Sequence, residues 1–183
     1  ELGIPNYVVR KIFWEYFERR LRETAGIEYT SGELHKAIWE MAYDGNLHSF
    51  VSFINGRVLK ALSNRDLIQF DEKAFKVLLL AYLTMTNIYR PISEREVAGK
   101  FLDILLEKDF RAQNTPYEWL FELKYVKIED RSSLQARVET VKQEGLAQLS
   151  HYMKSRELAG MLRLKAVLLI LIGRDEVVAV ELE

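Results

Sequence analysis

The chain has 183 residues, is 49 % hydrophobic, and carries a formal net charge of −1 with no cysteine. That length buries a full core with room for an appendage, and the missing cysteines exclude disulfides and thiolate metal sites while fitting a reducing compartment. A charge so close to zero gives no global nucleic-acid signature, so any DNA contact falls on local cations such as Lys100, Lys108, Arg111, Lys124 and Lys127. The longest apolar run, Ala166 to Ile172, is far shorter than the roughly 20 residues that span a bilayer, and no signal-peptide pattern opens the chain. A soluble cytoplasmic protein with no membrane partner is expected. The start at Glu1 without methionine, directly on a helix signal, suggests a piece of a longer protein.

In chain order, Asn6 after Pro5 caps an expected helix with apolar positions Val9, Ile12, Phe13, Tyr16, Phe17 and Leu21 at three- and four-residue spacing. Its aromatic stripe, Phe13, Trp14, Tyr16 and Phe17, reads as packing surface rather than a base-stacking platform. Gly26 stops that helix, and Thr30 or Ser31 starts a second through Leu34, Ile38 and Met41 to Asp44-Gly45. Leu47 to Leu62 gives a third helix, and Asp71 to about Thr86 a fourth whose buried stripe holds Phe75, Leu78, Leu79, Tyr82 and Leu83. Glu72 lies on the edge of that stripe.

After Asn87 the apolar period drops from about 3.6 to 2. Ile92 to Val97, Phe101 to Leu106 and Tyr117 to Ile128 read as strands, the first two joined by a turn at Gly99. Ser132 or Ser133 caps a long helix through Val138, Val141, Leu146, Leu149 and Tyr152. Ala166 to Ile172 reads as a strand buried on both faces, and Val177 to Leu182 follows the Gly173-Arg174-Asp175 turn. The helix between the Tyr117 and Ala166 strands is the crossover that a parallel pair needs.

Three charges interrupt the apolar strands: Asp103, Glu122 and Lys124. Charge inside an apolar strand is costly unless it is paired, hydrogen-bonded or bound to metal. Alternation puts Glu122 and Lys124 on one face, and antiparallel pairing sets Asp103 opposite Glu122. Two carboxylates from neighbouring strands form a hard oxygen site for Mg2+ or Mn2+, with Lys124 in reach of an attacking water. The expected chemistry is phosphodiester hydrolysis without a covalent intermediate. A cross-strand salt bridge accounts for the same three residues.

The Asp103…Glu122-x-Lys124 pattern resembles the core motif of the PD-(D/E)XK nuclease superfamily. The order of Pro91 to Val97, the Gly99 turn, the Asp103 strand and Tyr117 to Tyr125 is similar to one branch of it, the nuclease-like domain that follows an AAA-type ATPase domain in bacterial proteins. The resemblance runs from Ile4-Pro5-Asn6 to the end of the chain. Gln148 and Tyr152, four residues apart on one helix face, match the Gln-x-x-x-Tyr signature of the exonuclease branch. Leu102 stands where the family's name places proline.

The resemblance implies an α/β restriction-endonuclease-like mixed sheet core, ordered α-β-β-β-α-β-β, at residues 67–183 behind a helical subdomain at residues 1–66. It implies Mg2+ or Mn2+ as cofactor, held by Asp103, Glu122 and Glu72, with Asp103, Glu122 and Lys124 catalytic and Gln148 and Tyr152 on substrate. The implied partners are nucleic acid, DNA ahead of RNA, and an ATPase domain in the full-length chain. The fragment has no Gly-rich phosphate loop of its own, and His35, His48 and His151 show no ligand spacing. Two other readings remain: an inactive interaction module attached to an AAA-type ATPase, and a structural α/β domain in which Lys124 pairs with Asp103 or Glu122.

Overall fold

The computed structural model describes residues 30–63, 71–112 and 114–182, together with positions 12, 15, 16, 19, 20, 23, 26 and 27. The Asn6 cap and the apolar positions Val9, Phe13, Trp14, Phe17 and Leu21 lie outside the described residues, as does the expected domain boundary at 66/67. Of the first expected helix's stripe, Ile12 and Tyr16 are described, and both are exposed rather than packed.

Helix α1, Ser31–Trp39, begins at Thr30, whose hydroxyl accepts the Glu33 N–H while Glu33 returns the bond to the Thr30 N–H. This reciprocal cap satisfies two amides that the first turn leaves open. A π-helical turn, Glu40–Asp44, follows and ends at Gly45, which takes the left-handed backbone at φ 64°. The third expected helix forms as α2, His48–Phe53, a π-helical stretch, Ile54–Leu59, and α3, Lys60–Ser63. Helix α4, Glu72–Met85, starts on Asp71, whose carboxylate accepts the Ala74 N–H at 2.9 Å.

The strands are β1, Tyr89–Ser93, β2, Glu96–Val97, β3, Lys100–Phe101, β4, Ile104–Lys108, β5, Glu118–Val126, β6, Leu164–Ile172, and β7, Glu176–Glu181; the long helix α5, Arg131–Met153, joins β5 to β6. Five of them form a sheet in the order β1-β4-β5-β6-β7, in which only β5 and β6 run parallel. The mixed sheet and its order of elements bear out the expected restriction-endonuclease-like architecture.

Two expected strands are each divided. Glu94 adopts φ 57° and ends β1, and Ala98 and Gly99, at φ 51° and 74°, turn β2 into β3 as a separate two-stranded hairpin. Two successive positive φ values are the tight hairpin turn whose twist matches its strands. Asp103 lies at a bend between β3 and β4, not within a strand. The cap of α5 is Asp130, which accepts the Ser132 N–H, rather than either serine.

The sheet is covered on both faces, so β6 is apolar from Ala166 to Ile172, as the uninterrupted sequence run requires. One face packs with α4 and the preceding helices in a single core containing Ile38, Met41, Phe50, Phe75, Trp119, Phe121 and Val167. Polar bonds pin the same contact: Trp119 Nε1 donates to the Met41 carbonyl at 3.1 Å, and the Asn55 amide bonds both the N–H and the C=O of Val177 on β7. The other face packs with α5 through Leu105, Leu120, Val126, Leu149, Tyr152, Leu168 and Ile170. Leu120 and Val126 are on this second face, and strand alternation sends Glu122 and Lys124 the same way.

Candidate active site

Glu122 is the charged residue held deepest in the sheet, with 1 % of its surface exposed. It sits in the middle of β5, paired in register with Leu168 of β6. Oε1 accepts the Lys124 ammonium at 2.6 Å, whereas Oε2 is buried without a hydrogen-bond partner among the described residues. Burial pushes the Glu122 carboxyl up to about 7; the Lys124 bond opposes that rise, and the negative field of Asp103 adds to it. Buried polar atoms in native folds are nearly always bonded, so this oxygen calls for a partner that apolar packing does not supply.

Asp103 reaches the same place by another route. The β4–β5 ladder ends at Ile104↔Phe121, and beyond it Asp103 Oδ2 accepts the Leu123 N–H at 2.9 Å. The side chain takes over the acceptor that a further β4 residue would have supplied. Aspartate commonly bonds backbone in this way, which is why the strand bends here rather than running through. Asp103 therefore stands beside Glu122 as expected, but at the end of the ladder.

Lys124 donates to Glu122 and, at 3.3 Å, to Gln148 Oε1. Burial lowers its pKa, but the bond to Glu122 and the charges of Glu122, Asp103 and Glu72 more than offset this, so the ammonium is held above its ordinary value. Gln148 Nε2 in turn donates to the Tyr152 hydroxyl at 2.8 Å, and that hydroxyl donates to the Phe101 carbonyl at 2.9 Å. One chain of bonds thus runs from β5 through two side chains of α5 to the β2–β3 hairpin. Gly145 lets α5 come this close, because a Cβ there would stand 2.5 Å from Leu168 Cδ1.

Glu72, the first residue of α4, is exposed, yet partial burial and then the charge of Asp103 push its carboxyl up. It faces the site electrostatically without a hydrogen bond to Asp103, Glu122 or Lys124 among the described residues. All six residues singled out in the sequence therefore converge on one region. Among the described residues, no group of three or more His, Asp or Glu side chains is gathered closely enough to hold a metal ion; Asp103 and Glu122 are linked by the negative field that Asp103 puts on the Glu122 carboxyl.

One residue was missed. Lys76 of α4 places Nζ 3.3 Å from Asp103 Oδ1 and 3.4 Å from Glu94 Oε1. The signal available was its position four residues after Glu72, on the same helix face.

Asp103 and Glu122 offer carboxylate oxygens of the kind a hard cation takes, and Lys124 is tied to Glu122, whose Oε2 has no partner among the described residues. A family model described as the PD-(D/E)XK nuclease superfamily matches residues 70–181, more than half of the chain and all of these residues. No curated protein matches the chain.

Proposed function

Because the chain belongs to the PD-(D/E)XK nuclease superfamily, we propose that it is a divalent-metal-dependent nuclease hydrolysing DNA phosphodiesters, with Asp103 and Glu122 as metal ligands and Lys124 beside the attacking water. The observation that carries this reading is Glu122 Oε2, a buried carboxylate oxygen with no partner among the described residues and with Asp103 close by. The donor set fits Mg2+ or Mn2+, which take carboxylate oxygens and keep several waters. When bound, the ion polarises the phosphate and makes water more acidic.

The chain's own residues do the rest. Lys124 has three N–H donors, and Glu122 and Gln148 take two of them, which leaves one for the nucleophilic water or a phosphate oxygen. Gln148 and Tyr152 hold that ammonium in place through the hairpin carbonyl of Phe101, and in this reading they support substrate through Lys124, since Tyr152 itself is buried. Glu72 serves a second ion or its water. The nucleic-acid partner, DNA ahead of RNA, follows from this chemistry; an attached AAA-type ATPase domain and a cytoplasmic setting belong to the same reading. No described helix is long and apolar enough to cross a membrane.

The test is incubation with linear, circular and single-stranded DNA in Mg2+ or Mn2+. Cleavage is expected from the unaltered protein and should be abolished in Lys124→Ala and Asp103→Ala; cleavage that survives both substitutions places the chemistry elsewhere.

A second reading has its own support. The 2.6 Å Lys124–Glu122 pair balances the buried carboxylate without any metal, as a non-catalytic module regulating an AAA-type ATPase would require. Calorimetric titration with Mn2+ separates the two: binding that disappears in Glu122→Ala favours the nuclease, and no binding at all favours the module.

A further inference from the structure

Lys76 is a second cation at the same carboxylates, and its pairing differs in kind from that of Lys124. Its side chain is 16 % exposed and lies between Asp103 and Glu94 at 3.3 and 3.4 Å, whereas Lys124 holds Glu122 at 2.6 Å. Longer ion pairs are weaker, so Lys76 is the lysine that exchanges partners at lower cost.

Both oxygens of Asp103 are engaged inside the protein, Oδ2 by the Leu123 N–H and Oδ1 by Lys76. The backbone bond is built into the edge of the β4–β5 ladder, which leaves Oδ1 as the oxygen that can be released. A divalent cation and the Lys76 ammonium therefore compete for Asp103 Oδ1. A lysine this enclosed needs an anion wherever it goes. Glu94, 73 % exposed, supplies one at the rim of the site.

Resting on the nuclease reading above, we propose that Lys76 is a phosphate-binding residue that gives up Asp103 Oδ1 for a backbone phosphate of the nucleic acid, opening Asp103 to the cation as substrate arrives. Metal and substrate binding are then interdependent through one side chain. Before substrate arrives, Lys76 screens the carboxylates and weakens their hold on an ion. With phosphate in place, its charge is neutralised from the other side.

The experiment measures two affinities in each variant: Mn2+ by calorimetry, and a fluorescein-labelled duplex oligonucleotide by anisotropy in EDTA. In Lys76→Met, Mn2+ binding should tighten about two- to fivefold and oligonucleotide binding should weaken by a similar factor, the size of one partly exposed ion pair. Lys76→Gln should move both in the same directions and carries the test if the methionine variant does not fold. Glu94→Gln, which leaves Lys76 to Asp103 alone, should weaken Mn2+ binding. Opposite signs for the two ligands are the signature, because loss of a merely structural lysine weakens both. A parallel loss of both affinities, or no change in either, overturns the proposal. Absence of Mn2+ binding in the unaltered protein instead overturns the nuclease reading, and this inference with it.

Discussion

A carboxylate buried to 1 % exposure, with one oxygen unbonded among the described residues, works against the strand that carries it. The Glu122 pKa is raised from 4.5 to about 7, so between these values the native state holds a proton that the unfolded chain releases. Its contribution to stability is complete below the unfolded pKa and is lost as pH rises through about 7. Glu72 shifts in the same direction. Urea unfolding of the protein in EDTA should therefore give a free energy that falls from pH 5 to pH 8 by on the order of 2 to 3 kcal/mol, and Glu122→Gln should flatten most of that slope. A slope unchanged in the variant would mean that Glu122 does not titrate in this window. Asp103 makes a different prediction, because it serves the backbone. Asp103→Ala leaves the Leu123 N–H without its acceptor and should cost about 1 to 3 kcal/mol, while Asp103→Asn keeps an acceptor and costs less. Equal costs in the same unfolding experiment would show that the backbone bond contributes little. At this scale the sequence was informative wherever a charge interrupted an apolar strand, as at Glu122 and Lys124. At Lys76 it offered only the four-residue spacing from Glu72 on an ordinary amphipathic helix, while the partners lie 18 and 27 residues away.

Helix α5 is positioned by what Gly145 lacks. A methyl group there meets Leu168, so Gly145→Ala should destabilise by about 1 to 3 kcal/mol through overpacking, despite a gain of about 1 kcal/mol in helix propensity. Thermal unfolding reads the balance; a rise in midpoint would show that Leu168 yields. The same shift should loosen Gln148 from Lys124 and lower any nuclease rate more than substrate affinity. At the opposite edge, Asn55 bonds both backbone groups that Val177 turns away from the sheet, and Asn55→Ala should cost about 1 to 2 kcal/mol. Elements written in local chemistry were legible: the helix start at Thr30 or Ser31, the crossover helix after β5, and the apolar run of β6 from Ala166 to Ile172. The breaks at Glu94 and Asp103 were not. What interrupts the strands is one left-handed backbone and one side chain substituting for a ladder partner, and neither a backbone angle nor a hydrogen-bond partner is written in the apolar pattern.

Across the whole molecule, the sheet separates two cores; strand alternation sets Glu122 and Lys124 on the α5 side, and the early helices pack on the other. A fragment that starts at residue 67 would expose Trp119, Phe121, Val167 and Leu169 to water, since the helices of residues 31–63 share their core. It should aggregate or unfold without cooperativity, as followed by light scattering and calorimetry; a stable, cooperatively folding fragment would make the early helices an independent unit. Glu72, Gln148 and Tyr152 came from the family resemblance, whereas the gathering of Asp103, Glu122 and Lys124 could be anticipated from strand alternation and one antiparallel pair, and the parallel step from the helix that follows. The state of Asp103, with both oxygens engaged, could not, because it depends on three-dimensional contacts with Leu123 and Lys76. The most direct measurement is therefore a crystal structure of the protein grown with Mn2+ and read by anomalous scattering. The account predicts one ion about 2.1 Å from oxygens of both Asp103 and Glu122, with Lys124 still bonded to Gln148. An anomalous map with no ion at these carboxylates, and with the Lys76–Asp103 and Lys124–Glu122 pairs intact, would contradict it.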